Sequence, residues 1–182
     1  MYPEDSEILA KFAEEKTRNE AFNLLIKKYQ QKIYWHIRRL VLDHDDADDL
    51  VQEVFVKVWK NLAGFRKDSQ LYTWIYRIAT NESITFLNRK KLKNNISLDE
   101  LNQDLADTLE GSTYFDGDKA QMKLQKALLT LPEKQRLVFN MKYFDDLKYE
   151  EISAILGTSV GGLKASFHLA VKKIEQYLLQ SD

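Results

Sequence analysis

The side chains best suited to contacting a polyanion lie near the C-terminal end of the sequence, in residues 149–174. The stretch YEEISAILG has apolar residues at helical spacing and ends at Gly157, which suits the left-handed end of a helix. Lys164, His168 and Lys172 of the next helix point away from its apolar face, so lysines can meet phosphates and histidine a base edge. That apolar face consists of Leu163, Phe167, Ala170, Val171 and Ile174. Two short helices around a tight turn predict a helix-turn-helix, whose second helix enters the major groove of DNA.

A second group of reactive side chains is acidic and lies in the stretch HDDADDLVQEVFVKVWKNL. On a helix, five acidic or amide side chains share one outer face: Asp45, Asp48, Asp49, Gln52 and Glu53. Carboxylates near a helix start also favour the helix dipole, whatever their function. A helical di-metal site pairs Glu with His three residues later, and no Glu of this stretch has a His at that spacing. We therefore interpret the face as a docking surface for another protein.

Aromatic and basic side chains are interleaved in FRKDSQLYTWIYRIATNESITFLNRKK, residues 65–91. Rings that stack on bases, beside cations that meet phosphates, are how proteins hold single-stranded nucleic acid. Trp74 and Ile78 also have the spacing of ordinary core residues, so a purely structural role for them stays open. Glu82 breaks the pattern, because a straight helix would place it in the middle of the apolar face. It needs either a bend near Thr80 or a specific partner.

The composition of the 182 residues excludes several classes of protein. There is no cysteine, which excludes disulfide frameworks and thiolate metal sites. No apolar run reaches the roughly 18 residues of a membrane span, and the N-terminal residues lack the basic and apolar regions of a signal peptide. A cytoplasmic protein is therefore expected. Because no nucleophile–base pair, phosphate-binding loop or metal-ligand pattern is present, we expect no catalytic activity and no cofactor.

The charge is unevenly distributed along the chain, although its formal net value is only −1. Residues 43–53 hold six acids and no Lys or Arg, whereas Arg89 and three lysines fall within five residues. Segregated charge of this kind predicts separate surfaces with different partners.

Helical periodicity runs through the chain, and no segment alternates convincingly as a strand. We predict an all-α fold with two small helical domains joined by an acidic linker. The predicted helices span residues 4–16, 18–42, 71–91 and 132–144. A further helix begins at a cap provided by Asp45 or Asp46 and ends near residue 62. The helix-turn-helix adds two more helices, and Thr158 or Ser159 caps the second of them. In 132–144, Leu137, Val138, Met141 and either Tyr143 or Phe144 are predicted to face inward. The predicted divisions are an N-terminal helix in 1–20, a first domain in 21–92, a flexible linker in 93–119 with short helices at LDEL and DLADTLE, and a second domain in 120–182.

Taken together, these stretches resemble the extracytoplasmic-function group of bacterial RNA polymerase sigma factors. DADDLVQEVFVKVW resembles the family's region 2.2, and LYTWIYRIATN resembles its promoter-melting and −10-reading region. LPEKQRLVFNMKYFDDLKYEEISAILGTSVGGLKASFHLAVKKI resembles region 4. The resemblance covers about residues 21–91 and 128–177 in the family's order. It departs from the family where Ser166, Leu169 and Val171 replace frequent arginines, where Gly162 replaces a frequent Thr, and where Thr80 and Thr85 replace a frequent Arg and Asp.

The resemblance implies a transcription initiation factor with three functional surfaces. The residues implied in docking on the polymerase β′ clamp are Asp48, Asp49, Gln52, Glu53 and Phe55. The residues implied in capturing a flipped −10 base and separating the strands are Phe65, Arg66, Lys67, Ser69, Trp74, Tyr76, Arg77, Asn81, Arg89 and Lys90. The residues implied in reading the −35 element are Ser159, Gly162, Lys164, Ala165, Ser166, His168, Leu169 and Lys172.

The partners implied are core RNA polymerase, through its β′ clamp and β flap, promoter DNA, and an anti-sigma factor, which in some cases is membrane-anchored. Two alternative functions remain open from the residues alone. A freestanding helix-turn-helix regulator would bind duplex DNA without polymerase, usually as a dimer on paired half-sites. A helical adaptor would bind only proteins and would leave the basic cluster and the aromatic loop without a function.

Overall fold

The computed structural model describes residues 2–111 and 119–180, and within these ranges the regular structure is entirely helical. The predicted all-α class is therefore confirmed. The α-helices of the described ranges are α1 (Asp5–Ala13), α2 (Arg18–Val41), α3 (His44–Asn61), α4 (Leu71–Asn94), α5 (Leu98–Glu110), α6 (Lys119–Leu129), α7 (Glu133–Phe139), α8 (Tyr149–Leu156) and α9 (Val160–Gln180). A 3₁₀ turn at Leu62–Gly64 follows α3, and a π-helical turn at Asn140–Phe144 extends α7.

Helices α1 to α4 form the first domain around the long α2. Leu25, Ile33 and Ile37 of α2 are fully buried because they lie on one stripe of the helix. Helix α2 ends at Leu42, which has a left-handed conformation with φ 61°. Asp43 then caps α3, since its carboxylate accepts a hydrogen bond of 2.9 Å from the backbone N–H of Asp46. The sequence predicted Asp45 or Asp46 for that cap, two or three residues beyond Asp43.

The segment predicted as a flexible linker contains a 13-residue helix, α5. Ser97 and Glu100 form a reciprocal capping box at its start. Leu101, Leu105 and Leu109 are buried on one face, which packs against α6. The acidic side chains occupy the opposite face, so this part of the segment is a folded helix whose leucines belong to the main apolar cluster. Residues 112–118, which the linker prediction also covered, lie outside the described residues.

Helices α6 to α9 form the second domain. In α7 and its π-helical extension Met141 is buried and Phe144 half-buried, while Tyr143 lies 60 % exposed, which decides between the two aromatic candidates. Helices α8 and α9 make the predicted helix-turn-helix with a 102° bend between them. Gly157 ends α8 with φ 66°, in the left-handed region where a side chain would be strained.

The two domains pack directly on each other, with α8 of the second domain against α4 of the first. One continuous apolar cluster includes residues of both domains, for example Ile75 of α4 and Ile152 of α8. At its edge, His36 Nδ1 lies 2.9 Å from Asp145 Oδ2, and Arg39 also donates to that carboxylate. The arrangement is closed: the face of α4 that carries Tyr76 is covered by the second domain.

Candidate nucleic-acid interface and protein-docking surface

The outer face of α3 presents acids that the fold does not use. Asp48, Asp49, Gln52 and Glu53 are all exposed, as the helical spacing predicts. Asp48 lies 3.3 Å from His44 Nε2, one turn earlier, in a pair that is itself exposed. Phe55, which the resemblance places in the same set, is only 6 % exposed and packs against Phe22. Its contribution to a docking surface is therefore to support α3 from beneath.

The acids at the start of α3 repel one another. Burial, followed by repulsion from Asp43, raises the pKa of Asp46 above its usual range, while Lys90 opposes that change. The ionised carboxylate of Asp46 is thus less favourable in the folded chain than in an unfolded one.

The loop between α3 and α4, residues 65–70, places an aromatic pair beside a cavity. The rings of Phe65 and Trp74 lie 5.2 Å apart between centroids at an interplanar angle of 42°. The adjacent cavity has a volume of about 400 Å³ and is open to solvent on one side. It is lined by Lys57, Asn61, Gly64, Trp74, Ile78, Asn81 and Glu82. A flat ring partly enclosed by an aromatic side chain and several polar groups would fit this site.

The remaining residues implied in −10 binding do not form one surface. Arg66, Lys67 and Asn81 are exposed around the loop and cavity. Arg89 is exposed and Lys90 half-buried, near the C-terminal end of α4. Ser69 is half-buried within the loop.

Two others contact the second domain, although Arg77 is also exposed to solvent. Tyr76 is buried, and burial followed by the negative charge of Asp145 raises the pKa of its hydroxyl. Arg77 donates a hydrogen bond to the carbonyl oxygen of Ala154 in α8. In this closed arrangement Tyr76 is covered and Arg77 is engaged at the domain boundary.

The outer face of α9 carries the residues predicted to contact duplex DNA. Lys164, Ala165, His168, Leu169 and Lys172 are all exposed, and Leu169 retains 47 % of its accessible area despite being apolar. Ser166 is half-buried. The ammonium group of Lys164 lies 5.8 Å from the centre of the ring of Tyr149, the first residue of α8, in a cation–π contact between the two helices.

Ser159 and Gly162 form the N-terminal cap of α9. The Ser159 hydroxyl accepts a hydrogen bond of 3.2 Å from the backbone N–H of Gly162. A Cβ atom at Gly162 would lie 3.2 Å from both Ser159 Oγ and Thr158 Cγ2, so glycine leaves room for this cap. Of the two capping candidates, Ser159 forms the bond.

Sequence reasoning missed the polar network between the domains. His36 Nε2 lies 2.8 Å from the hydroxyl of Thr80, which itself donates to the Tyr76 carbonyl over 2.7 Å. The other ring nitrogen of His36 meets Asp145, 109 positions along the chain. Neither residue is part of a local pattern, so the sequence held no signal for their meeting.

Across 2–111 and 119–180, no group of three or more His, Asp or Glu side chains is placed to hold a metal ion. No single helix of the described ranges is long and apolar enough to cross a membrane, although α8 and α9 pass that test if counted together across their bend.

Comparison with known proteins identifies the family. Residues 25–93 match the family model for sigma-70 region 2, and residues 121–174 match the model for sigma-70 region 4. The chain is 31 % identical over 174 residues to the RNA polymerase sigma-H factor of Pseudomonas aeruginosa, covering 87 % of this chain and 86 % of that protein. It is 30 % identical over 169 residues to the ECF RNA polymerase sigma-E factor of Escherichia coli, covering 88 % of each. Its fold is similar to that of the sigma factor RpoE from Bartonella quintana, solved in complex with the anti-sigma factor NepR, with a TM-score of 0.67 at 23 % identity and coverage of 86 % and 96 %.

The chain belongs to the extracytoplasmic-function group of RNA polymerase sigma factors. Sigma factors are transcription initiation factors, and their partners are core RNA polymerase and promoter DNA.

Proposed function

We propose that the acidic face of α3 is the surface by which this sigma factor docks on core RNA polymerase, at the clamp of the β′ subunit. The observation that carries the proposal is a row of exposed carboxylates, Asp48, Asp49 and Glu53, on a helix whose opposite side is fully buried. Half-exposed Val56 and Trp59 continue the face toward the end of the helix and add apolar contact area beside the charges. Charge complementarity would then set orientation and association rate, and the apolar residues would add affinity.

We assign DNA recognition to two separate surfaces of the chain. Trp74 and Asn81 line the 400 Å³ cavity that receives an unpaired −10 base, and the adjoining loop of residues 65–70, whose Phe65 contacts Trp74, assists in capturing it. Unstacking such a base costs a few kcal/mol, which aromatic and hydrogen-bond contacts in a pocket offset. The exposed face of α9, with Lys164, His168 and Lys172, reads the −35 element as duplex, and the second domain also meets the β flap. The chain supplies no catalytic group of its own and works where RNA polymerase works, in the cytoplasm.

The docking assignment is tested by measuring affinity for bacterial core RNA polymerase. An Asp49→Arg, Gln52→Ala, Glu53→Arg variant should bind at least tenfold more weakly, because truncating or reversing charges at a complementary interface costs about 2–5 kcal/mol. A Glu14→Arg, Glu15→Arg variant reverses two exposed acids elsewhere in the first domain and should bind like the wild type. Equal affinity of all three proteins would show that α3 is not the docking surface.

We further propose that an anti-sigma factor controls this chain, as NepR forms a complex with the similar RpoE. A cleft of about 890 Å³ between the two domains supports this proposal, because Lys27, Lys28 and Lys32 line it together with Trp35 and Tyr72. Cations beside aromatic rings suit an acidic amphipathic segment. A Lys27→Glu, Lys32→Glu variant should drive a promoter reporter without any inducing signal. If wild-type and variant chains give the same uninduced activity, the cleft is not the regulatory site.

A further inference from the structure

Glu82 is an acid on a helix face where the sequence predicts apolar residues, and α4 carries it there without a break. Its side chain is 15 % exposed, and Lys57 of α3 donates a hydrogen bond to its Oε1 atom. The pair thus ties α4 to α3 across 25 positions of the chain. A purely structural role, holding α4 against α3, would account for the ion pair but not for its position beside a cavity.

The Lys57–Glu82 pair forms part of the wall of the cavity beside the 65–70 loop. Trp74 and Ile78 supply the apolar lining of that cavity, and Asn61 and Asn81 supply amides. The Asn61 amide is already engaged, because its Nδ2 group donates a hydrogen bond to the Lys57 carbonyl oxygen. The Asn81 amide can turn either its donor or its acceptor toward a ligand, and the lysine only donates. The Glu82 carboxylate is the negatively charged group of the lining and only accepts, so it is the strongest fixed acceptor in the wall.

The edges of the four bases differ in what they offer such an acceptor. Cytosine, adenine and guanine each carry an exocyclic amino group, and Glu accepting from the cytosine N4 amino group is an established pairing. Thymine has no exocyclic amino group, and its single ring N–H lies between two carbonyl oxygens. Those oxygens would be brought toward the carboxylate, where two acceptors face each other without a proton between them.

We infer that Glu82 is a specificity-determining residue: it makes the cavity accept an unpaired base that bears an amino group and reject thymine. The inference rests on the proposed capture of a −10 base in this cavity. Lys57 neutralises Glu82, so the carboxylate accepts the amino group without placing a net negative charge beside the DNA backbone.

The test uses holoenzyme assembled from core polymerase and the full chain, with a randomised single-stranded DNA pool for selection. Wild-type holoenzyme should enrich a motif in which one position is depleted of thymine. At that position, deoxycytidine should bind about 10-fold more tightly than deoxyuridine, because only cytosine presents an amino group to the Glu82 carboxylate. Deoxyuridine is the sharper comparison, since it has thymine's edge without the methyl group.

Two variants separate recognition from the tether. In Glu82→Gln the amide can turn its donor toward a carbonyl, so the preference for deoxycytidine over deoxyuridine should fall to near onefold. In Lys57→Met the side chain has no donor, so the contact with Glu82 is lost but the carboxylate remains, and the preference should persist. A purely structural role for Glu82 would weaken binding of both oligonucleotides equally in both variants, and a ratio that survives Glu82→Gln overturns the inference.

The outcome also distinguishes this inference from the function on which it rests. If wild-type holoenzyme enriches no single-stranded motif at all, then −10 capture by the chain fails and the role of Glu82 fails with it. If a motif is enriched but the selections with wild type and Glu82→Gln agree at every position, only the inference is wrong. Glu15 is an exposed acid far along the chain from the residues that line the cavity. The Glu15→Gln variant is therefore the matched control and should leave every base preference unchanged.

Discussion

Asp46 shows, at the scale of one residue, that the first turn of α3 is not arranged for stability alone. Its backbone N–H donates the capping hydrogen bond to Asp43, yet its own carboxylate is repelled by the carboxylate of Asp43. Negative charge in the first turn of a helix favours the dipole. Partial burial and the repulsion from Asp43 act in the opposite direction at this site, and they raise the pKa of Asp46.

We expect Asp46→Asn to raise the melting temperature at neutral pH. A carboxyl group whose pKa is raised in the folded state favours folding most when it is protonated, below the unfolded pKa near 4. That contribution is lost as the pH rises through the folded-state pKa. The difference in Tm between variant and wild type should therefore grow from pH 4 upward and level off above the raised pKa. Thermal unfolding across pH 4–8 measures it.

Asp45→Asn is the control for this prediction, because Asp45 is an exposed acid in the same first turn. Removing its charge gives up a favourable interaction with the helix dipole, so its Tm should equal that of the wild type or fall slightly. A lower Tm for Asp46→Asn, or an offset that does not vary with pH, would contradict the argument.

Helix α5 shows, at the scale of an element, what a sequence can reveal and how it can mislead. Ser97 and Glu100 stand at capping-box spacing, and Leu98, Leu101, Leu105 and Leu109 recur at three- and four-residue steps. Both signals predict one continuous helix. The high density of acidic residues favours a flexible linker instead, because acidic polar segments are typical of linkers. The acids turn out to occupy the solvent face of an amphipathic helix.

Other features were predictable because their signals are local. The helix-turn-helix depends on Gly157 and on apolar residues a few positions apart, and the acidic face of α3 depends on helical spacing alone. The cavity wall and the domain contact depend on pairs that are distant in sequence, Lys57 with Glu82 and His36 with Asp145. A single sequence carries no record of which distant polar residues meet. It did indicate that Glu82 requires either a bend near Thr80 or a specific partner, and the partner is Lys57.

We expect Leu105→Ala to release α5 from the rest of the molecule. Leu105 is fully buried, so truncating it leaves a cavity and should cost about 2–5 kcal/mol in the free energy of unfolding. Leu98→Ala removes the same atoms from a side chain of the same helix that is 47 % exposed, and should cost much less. Hydrogen exchange of the α5 amides measures the local effect. Equal protection in the two variants would mean that α5 is not held by its leucine face.

The closed arrangement of the two domains sets a requirement for promoter binding at the scale of the whole molecule. Elements named for positions −10 and −35 lie about 25 base pairs apart, which is roughly 85 Å of duplex at about 3.4 Å per base pair. Here α8, in the −35 domain, packs on α4, in the −10 domain, and Arg77 is bound to the Ala154 carbonyl. One chain cannot bind both elements of a straight duplex in this arrangement, so the domains must separate on the promoter.

The buried ion network at Asp145 is the polar contact whose loss should favour that separation. The Asp145 side chain is 2 % exposed and meets both His36 and Arg39 of the first domain. Removing one partner of a buried pair leaves uncompensated charge and costs about 3–5 kcal/mol. Because that loss falls on contacts between the domains, Asp145→Ala should shift the free chain toward an open form. Asp146→Asn changes the next residue, an exposed acid, and should leave the chain closed.

The absence of cysteine makes this shift directly measurable, since two introduced cysteines label the chain uniquely. Lys16 and Glu175 are exposed and lie in different domains, so donor and acceptor dyes at these positions report the distance between the domains. Energy transfer should fall in Asp145→Ala and stay at the wild-type level in Asp146→Asn. The opened variant should also bind an oligonucleotide of the −10 strand more readily, because Tyr76 and Arg77 are no longer held against the second domain. If energy transfer is unchanged in Asp145→Ala, the apolar contact between α4 and α8 holds the domains together by itself, and the ion network only sets the orientation in which they meet.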